Sequence, residues 1–253
     1  MATLVSGGAV LGGGGAGGGS SASPYPGSLD TTHDPVGLWL LDGDITDSSG
    51  NGLDLTAKGT ASYYIKAGGR EWYVLDGDQG LEDDSQAAAL EITGSMTVQF
   101  TAMIMHSPLS AEYIVSHATT GETEDTNILY AVAPATNAGN TWTWVHEYSA
   151  GANENKSLST TGVPNIDKIL GQWHHWAFVR DVTANTITMY MDGAEMVSTP
   201  YTNEASGGTS GKFSIGRYAG GSFEVTRMAI GNVKIVDSAL TAAQLRTEAD
   251  LVI

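Results

Sequence analysis

From Val36 onward the chain is a succession of short runs of apolar, Thr and aromatic residues, punctuated by clusters of Gly, Asn, Asp and Ser. This cadence limits the possible folds more than any other feature. Alternation with period two puts successive side chains on opposite faces of a pleated ribbon, and many such runs bury a common face by stacking as an antiparallel sandwich. The candidate strands are residues 36–41, 52–56, 72–75, 96–105, 113–116, 128–132, 141–148, 173–181, 186–191, 194–198, 212–216 and 226–236. Asp192-Gly193 separates two alternating runs and supplies the positive φ angles of a type I′ hairpin turn. One helix is expected, at the end. Thr241-Ala242-Ala243-Gln244 reads as a capping box, with Leu240 placed to staple against Leu245.

The 253 residues suit one large β-sandwich, and the absence of cysteine removes disulfides and thiolate metal sites from consideration. With 28 acidic and 11 basic side chains the net charge is -17, which excludes nucleic acid, since phosphate binding needs clustered Lys and Arg. The same balance disfavours an anionic membrane surface, and no apolar run approaches the roughly 20 residues that span a bilayer. The charge is lopsided. Through Tyr130 there are 17 acidic and 3 basic residues, net -14, against 11 and 8, net -3, in the remainder. A bound cation, a basic partner and simple solubility are the three uses of such an acidic half.

Residues 1–33 differ from the rest. Gly12, Gly13, Gly14, Gly15, Gly17, Gly18 and Gly19 are followed by Ser20, Ser21, Ser23, Pro24 and Pro26. Such a segment buries almost nothing and loses much backbone entropy on ordering, so it is expected to be a flexible leader that gains order by docking on another molecule. It lacks the positive n-region of a secretion signal, the first basic residue being Lys58. Residues 34–253 are expected to form the folded domain.

Several segments in series resemble the laminin-G-like jelly roll, the concanavalin A-like sandwich of lectins and glucanases. Val36-Gly37-Leu38-Trp39-Leu40-Leu41-Asp42, with Asp47-Ser48-Ser49-Gly50-Asn51-Gly52, is similar to that family's opening strand and D-x-S-G-N-G loop. Tyr73-Val74-Leu75-Asp76-Gly77 resembles its next strand, and Gly171-Gln172-Trp173-His174-His175-Trp176-Ala177 its W-H-H-x-A strand. The Tyr190–Gly193 turn, Phe213-Ser214-Ile215-Gly216 and the stretch from Ile230 to the Thr241 cap complete the series. The resemblance implies an all-β, antiparallel two-sheet jelly roll with a short C-terminal helix. It says little of function, because this fold carries lectins, hydrolases, lyases and inert structural parts. There is one departure: Gly231-Asn232 stands where many relatives carry Asp-Glu.

Three groups of residues invite a functional reading. Asp47 and Asn51 sit in a loop rich in oxygen donors, and the resemblance implies a structural Ca²⁺ there; an Asx-rich turn that satisfies its own backbone is the alternative. Trp142, Trp144, His146 and Tyr148 share one face of a strand. If that face is open it is a stacking ladder for sugar rings or an interface anchor; if closed it is half of the core, which the usual burial of aromatics favours. The opposite face, Thr141, Thr143, Val145 and Glu147, reads as solvent-tolerant. His174 and His175, being adjacent on a strand, point to opposite faces and do not share an ion. The acidic clusters Glu82-Asp83-Asp84 and Glu122-Thr123-Glu124-Asp125 fall in polar stretches and read as solvated loops. No catalytic residues are expected, since neither cluster places acid and base on one strand as glycoside hydrolysis requires.

The expectation is therefore a non-catalytic structural or adhesive subunit of a larger assembly, such as a virion decoration or fibre protein on a capsid or tail scaffold. It would be a homo-oligomer or scaffold-bound, anchored by its leader. The alternative is a carbohydrate-binding module, extracellular or on a cell surface, and a glycoside hydrolase or lyase is a distant third. Surface glycans are compatible partners in the first two cases, and no cofactor beyond Ca²⁺ is expected.

Overall fold

The computed structural model describes residues 27–59, 63–67, 70–77, 79–106, 113–119, 128–134, 141–149, 152–159, 166–206, 211–217 and 225–252. They form fifteen strands in two antiparallel sheets. The strands are β1 (Gly37–Trp39), β2 (Thr56–Lys58), β3 (Tyr63–Ala67), β4 (Arg70–Gly77), β5 (Gly80–Glu82), β6 (Met96–Ile104), β7 (Val115–Thr119) and β8 (Ile128–Pro134). They continue as β9 (Thr141–Ser149), β10 (Ala152–Ser159), β11 (Trp173–Asp181), β12 (Thr186–Met191), β13 (Ala194–Pro200), β14 (Gly211–Ile215) and β15 (Val225–Val236). The first sheet runs β13-β12-β11-β6-β15-β4-β3, with β1 also paired to β15; the second runs β10-β9-β8-β7-β14-β5-β2. Helix α1 (Ile166–Ile169) precedes β11, and α2 (Ala242–Val252) follows β15. The expected two-sheet jelly roll is what the chain adopts.

The two sheets close on an aromatic core. Trp39 stacks on Phe213 at 4.8 Å between centroids, and Trp142 lies 4.6 Å from Trp176 and 5.3 Å from Phe178. Each such ring removes roughly 150–250 Å² of surface from water, which at about 25 cal/mol per Å² makes these side chains the principal adhesive between the layers. Arg180 is also fully buried; it donates to the carbonyls of Ile92 (2.6 Å) and Gly94 (2.9 Å), and burial lowers its pKa to about 10, so it remains charged.

Local signals in the sequence are realised closely. Met191 pairs with Ala194 around Asp192 (φ 52°) and Gly193 (φ 73°), the two-residue turn that Asp-Gly favours. The turn also joins two motifs, because the Asp192 carboxylate accepts the His175 N–H at 2.9 Å and contacts His174 Nδ1 at 2.8 Å. Any Cβ at Gly193 would come within 2.8 Å of the Arg246 Cα, so the turn can rest against α2 only as glycine. At the helix start, Thr241 N–H donates to Gln244 Oε1 (2.8 Å) and Gln244 N–H donates back to Thr241 Oγ1 (3.3 Å). Leu240 and Leu245 share one cluster with Ala177, Val179, Tyr190 and Val236, and the buried pair Lys234–Glu248 (2.6 Å) fastens α2 to β15.

Three strands have no clear counterpart in the pattern. β3 and β10 are edge strands, and β5 is three residues long. β10 carries one core apolar side chain, Leu158, among Asn, Glu, Lys and Ser. Glu82-Asp83-Asp84 is not a solvated loop: Glu82 ends β5, and both it and Asp83 are buried. Glu82 is held there by Arg217 (3.3 Å), Lys212 (3.4 Å) and Lys58 (3.8 Å), while Asp83 accepts the N–H groups of Ser85 and Ala87. The cluster at 122–125 and Gly12, Gly13, Gly14, Gly15, Gly17, Gly18 and Gly19 lie outside the described residues.

β15 is the spine of the first sheet. One edge pairs with β6, while the other pairs first with β4 and then, beyond Ile230, with β1. Gly231 sits at the register shift of β15 against β6, and a Cβ there would clash with the edge of the Trp72 ring. The indole of Trp72 fills the space that the missing side chain leaves, which accounts for glycine where relatives carry an acid. We predict that Gly231→Ala destabilises the fold by about 1–3 kcal/mol in urea unfolding. In a double-mutant cycle with Trp72→Leu the two losses should fall short of additivity by at least 0.5 kcal/mol; additive losses would contradict the packing described.

Candidate functional site

The Asp47 loop is built by its own carboxylate. Oδ1 of Asp47 accepts the N–H groups of Leu38 (3.1 Å) and Ser49 (2.9 Å), and Oδ2 accepts the Ser49 hydroxyl (2.7 Å) and the Leu53 N–H (3.0 Å). Burial would raise the pKa of Asp47, but these donors outweigh it and hold the pKa below the usual carboxylate value. Asn51 donates its amide to the carbonyls of Pro35 (3.2 Å) and Val36 (2.9 Å), tying the segment before β1 to the loop.

The Ca²⁺ implied by the family resemblance does not fit this arrangement. Calcium needs six to eight oxygens whose lone pairs converge on one point. All four lone pairs of Asp47 already face donors, and Asn51, whose Nδ2 is tied to structural carbonyls, could add no more than its one amide oxygen. Among the described residues no group of three or more His, Asp or Glu side chains is placed to hold a metal. The Asx-turn alternative describes the geometry better.

The aromatic strand is closed. Trp142, Trp144 and His146 have no exposed surface, so they are core and interface neither with solvent nor with a sugar. His146 accepts the Trp144 indole N–H on Nδ1 (3.2 Å) and donates from Nε2 to the Asn203 carbonyl (2.8 Å), and burial lowers its pKa. Tyr148, at the strand end, is 37% exposed. The opposite face is solvent-tolerant only in part: Thr141 and Thr143 are half-buried, whereas Val145 joins Tyr113, Ala118, Ile128, Ala131 and Ala133 in a second cluster, and Glu147 is buried. Period two said which residues share a face; it could not say how far each face is covered.

What the structure does open to solvent is a groove at one end of the sandwich. Thr31, Asp34, Pro35 and Val36 line it from the segment before β1, Ser49 and Asn51 from the Asp47 loop, Ala89 from a short 3-10 turn (Ala88–Leu90), and Asp237 from just beyond β15. Antiparallel register assembles it. Gly37 faces Ile235, and Val36 N–H donates to the Ile235 carbonyl at 2.8 Å, so the residues preceding β1 run beside those following β15. His33 (φ 68°) and Asp34 (φ 47°) occupy the left-handed region, a conformation that Asp and His tolerate better than most residues and that turns the chain into the groove.

The groove is open to solvent and has a volume of about 590 Å³, within the range of small-ligand sites. Its lining is mainly oxygen: two carboxylates, two hydroxyls and an amide, with Pro35, Val36 and Ala89 as a small apolar floor. With the Ser49 hydroxyl donating to Asp47 and the Asn51 amide N–H groups to backbone carbonyls, what the groove offers a polyhydroxylated ligand is chiefly the two carboxylates and the Thr31 hydroxyl, and charge-assisted bonds to carboxylate are about twice as strong as neutral ones. Of its residues the sequence pattern singled out only Asn51. Thr31, Asp34, Ala89 and Asp237 carry no local signal, because only long-range strand pairing brings them together.

A second feature lies at the opposite end of β6, where Met103 pairs with Trp173. Trp173 is half-buried and tilts against Trp72 at 4.4 Å, and the Arg70 guanidinium lies 4.7 Å from the other indole. Arg70 and Asn232 also donate to the carbonyl of Gly27, whose N–H donates to the Val252 carbonyl (2.9 Å), so Gly27 is held against β4, β15 and the end of α2.

The family model of the concanavalin A-like lectin/glucanases superfamily matches residues 75–246, more than half of the chain. The chain belongs to this superfamily. Among solved structures, domain 4 of AbnA, an extracellular GH43 arabinanase of Geobacillus stearothermophilus crystallised with arabinotriose, is similar at 18% identity. The match has a TM-score of 0.64 and covers 88% of this chain and 99% of that domain. The receptor binding domain of botulinum neurotoxin type G matches at 14% identity and TM-score 0.60, over 86% of this chain and 51% of that one. The binding domain of Paraclostridial Mosquitocidal Protein 1 matches at 13% identity and TM-score 0.61, over 90% and 51%. The chain thus spans about half the length of the toxin domains, and at these identities the likeness is one of fold. No curated protein matches the sequence.

We predict that a chelator leaves the melting temperature of this superfamily member within about 1 °C of its untreated value. Asp47→Ala, by contrast, should cost about 2–4 kcal/mol through the loss of four hydrogen bonds to a charged acceptor. A melt that drops in chelator would restore the metal.

Proposed function

We propose that this chain is a non-catalytic glycan-binding module that takes its ligand in the groove between the segment before β1, the Asp47 loop and Asp237. The observation that carries the reading is the groove itself, an exposed concavity whose lining matches the hydroxyl-rich edge of a sugar. The superfamily includes lectins, and the arabinanase domain that shares the fold over nearly its whole length was solved with arabinotriose bound. Absence of catalysis is supported by the acids. A glycosidase acid needs a raised pKa, and among the described residues the four carboxylates with a resolved shift are lowered. Thr32 lowers Asp30, Lys58 lowers Asp84, and donors overcome burial at Asp47 and at Glu154, the last held at about 2 by Lys156 and the N–H groups of Thr202 and Asn203.

The same module is read as one part of a larger assembly, such as a virion fibre, joined to it by its leader, residues 1–33; the support is the Gly- and Ser-rich composition of that leader.

The test is retention on a panel of immobilised neutral polysaccharides that includes arabinan, measured by affinity electrophoresis. The full chain and a chain lacking residues 1–26 should be retained alike. Thr31→Val with Asp237→Ala should weaken retention at least tenfold with little change in melting temperature, while Trp173→Ala should leave it intact. Loss of retention through Trp173→Ala alone, or retention of no polysaccharide at all, would overturn the assignment.

A further inference from the structure

We infer that the groove discriminates by charge, accepting neutral glycans and turning away those that carry a carboxylate, such as sialylated or uronic acid sugars. The inference rests on the glycan-binding reading and adds the ligand class. Asp34 and Asp237 both line the groove and both are exposed, whereas among the described residues no basic side chain lines it. The nearby cations are committed elsewhere. Lys234 is buried and bound to Glu248, and the His33 ring faces Gln244 (3.3 Å) and Glu248 (3.7 Å). Lys58, Lys212 and Arg217 are gathered on Glu82, with Lys58 and Lys212 also on Asp84, in the second sheet. Arg70 is held by Asp42 (3.0 Å).

A carboxylated sugar seated here would bring a third negative charge against two fixed ones. With neither an arginine nor a lysine to pair it, the cost is pure repulsion, reduced but not removed by water in an open groove. A neutral sugar pays no such penalty, and its hydroxyls can donate to both carboxylates. Salt separates the two cases, because screening shortens the reach of the repulsion to about 3 Å at 1 M and leaves neutral hydrogen bonding largely untouched.

The test uses pairs of a neutral and an acidic sugar: lactose with sialyllactose, which adds one carboxylate, and a galactose disaccharide with digalacturonate, which carries two. Binding to the full chain is measured by calorimetry in low salt and again in 1 M NaCl. At least one neutral member should bind about tenfold more tightly than its acidic partner in low salt. The ratio should fall severalfold in high salt, and also in Asp34→Asn, which keeps the left-handed backbone and removes one charge. An acidic member binding as well as its neutral partner would overturn the charge rule and leave the glycan reading standing. If neither these sugars nor the neutral polysaccharides bind, the glycan reading fails and the charge rule with it.

Discussion

Gly37 and Ile235 face each other across an antiparallel ladder although 198 positions separate them, and the exposed end of the molecule depends on that pairing. It places β1 on β15 beyond Gly231, runs the preceding residues alongside Asp237, and lets Asn51 and Asp47 fasten the loop behind them. Hydrogen bonds of a ladder are individually worth only about 1 kcal/mol net. What fixes this register is packing: Trp39 is locked against Phe213, and its indole N–H donates to the Leu53 carbonyl at 2.7 Å. An inward tryptophan on a three-residue strand leaves no room for a slip, since shifting by one residue would send it to the outer face.

The two ends of the sandwich are built by opposite chemistry. At the groove, carboxylates and hydroxyls remain in water and the backbone bends into left-handed turns. At the other end, Arg70, Trp72 and Trp173 stack on one another over Gly231, and the charge is spent on indole faces and on the Gly27 carbonyl. The interior between them is largely apolar and aromatic, and it also buries polar side chains, among them Gln99, His175 and Arg180. His175, near 4 through burial, stays neutral at physiological pH and meets Gln99 at 3.0 Å.

The parts of the fold legible in the sequence were the local ones. Asp192-Gly193, the Thr241 capping box and the Trp173–Asp181 strand each hold their own signal within a dozen residues. β10 was hidden because an edge strand needs only one inward apolar side chain, Leu158, and its remaining pattern resembles a loop. The aromatic strand was legible as a face but ambiguous as a site, because burial is decided by what lies across the sandwich. The groove was almost illegible: Asn51 stood out for its oxygen, while Asp34 and Asp237 are ordinary acids until β1 and β15 meet.

The central claim is that ligand is taken at the end where β1 meets β15. A ¹H–¹⁵N NMR titration of the full chain with arabinotriose tests it most directly. Shifts should concentrate at Thr31, Asp34, Ser49, Asn51 and Asp237 while the amides of Trp142, Trp144 and Trp173 stay still. Perturbations centred on Trp173 and Met103, with the groove silent, would contradict it.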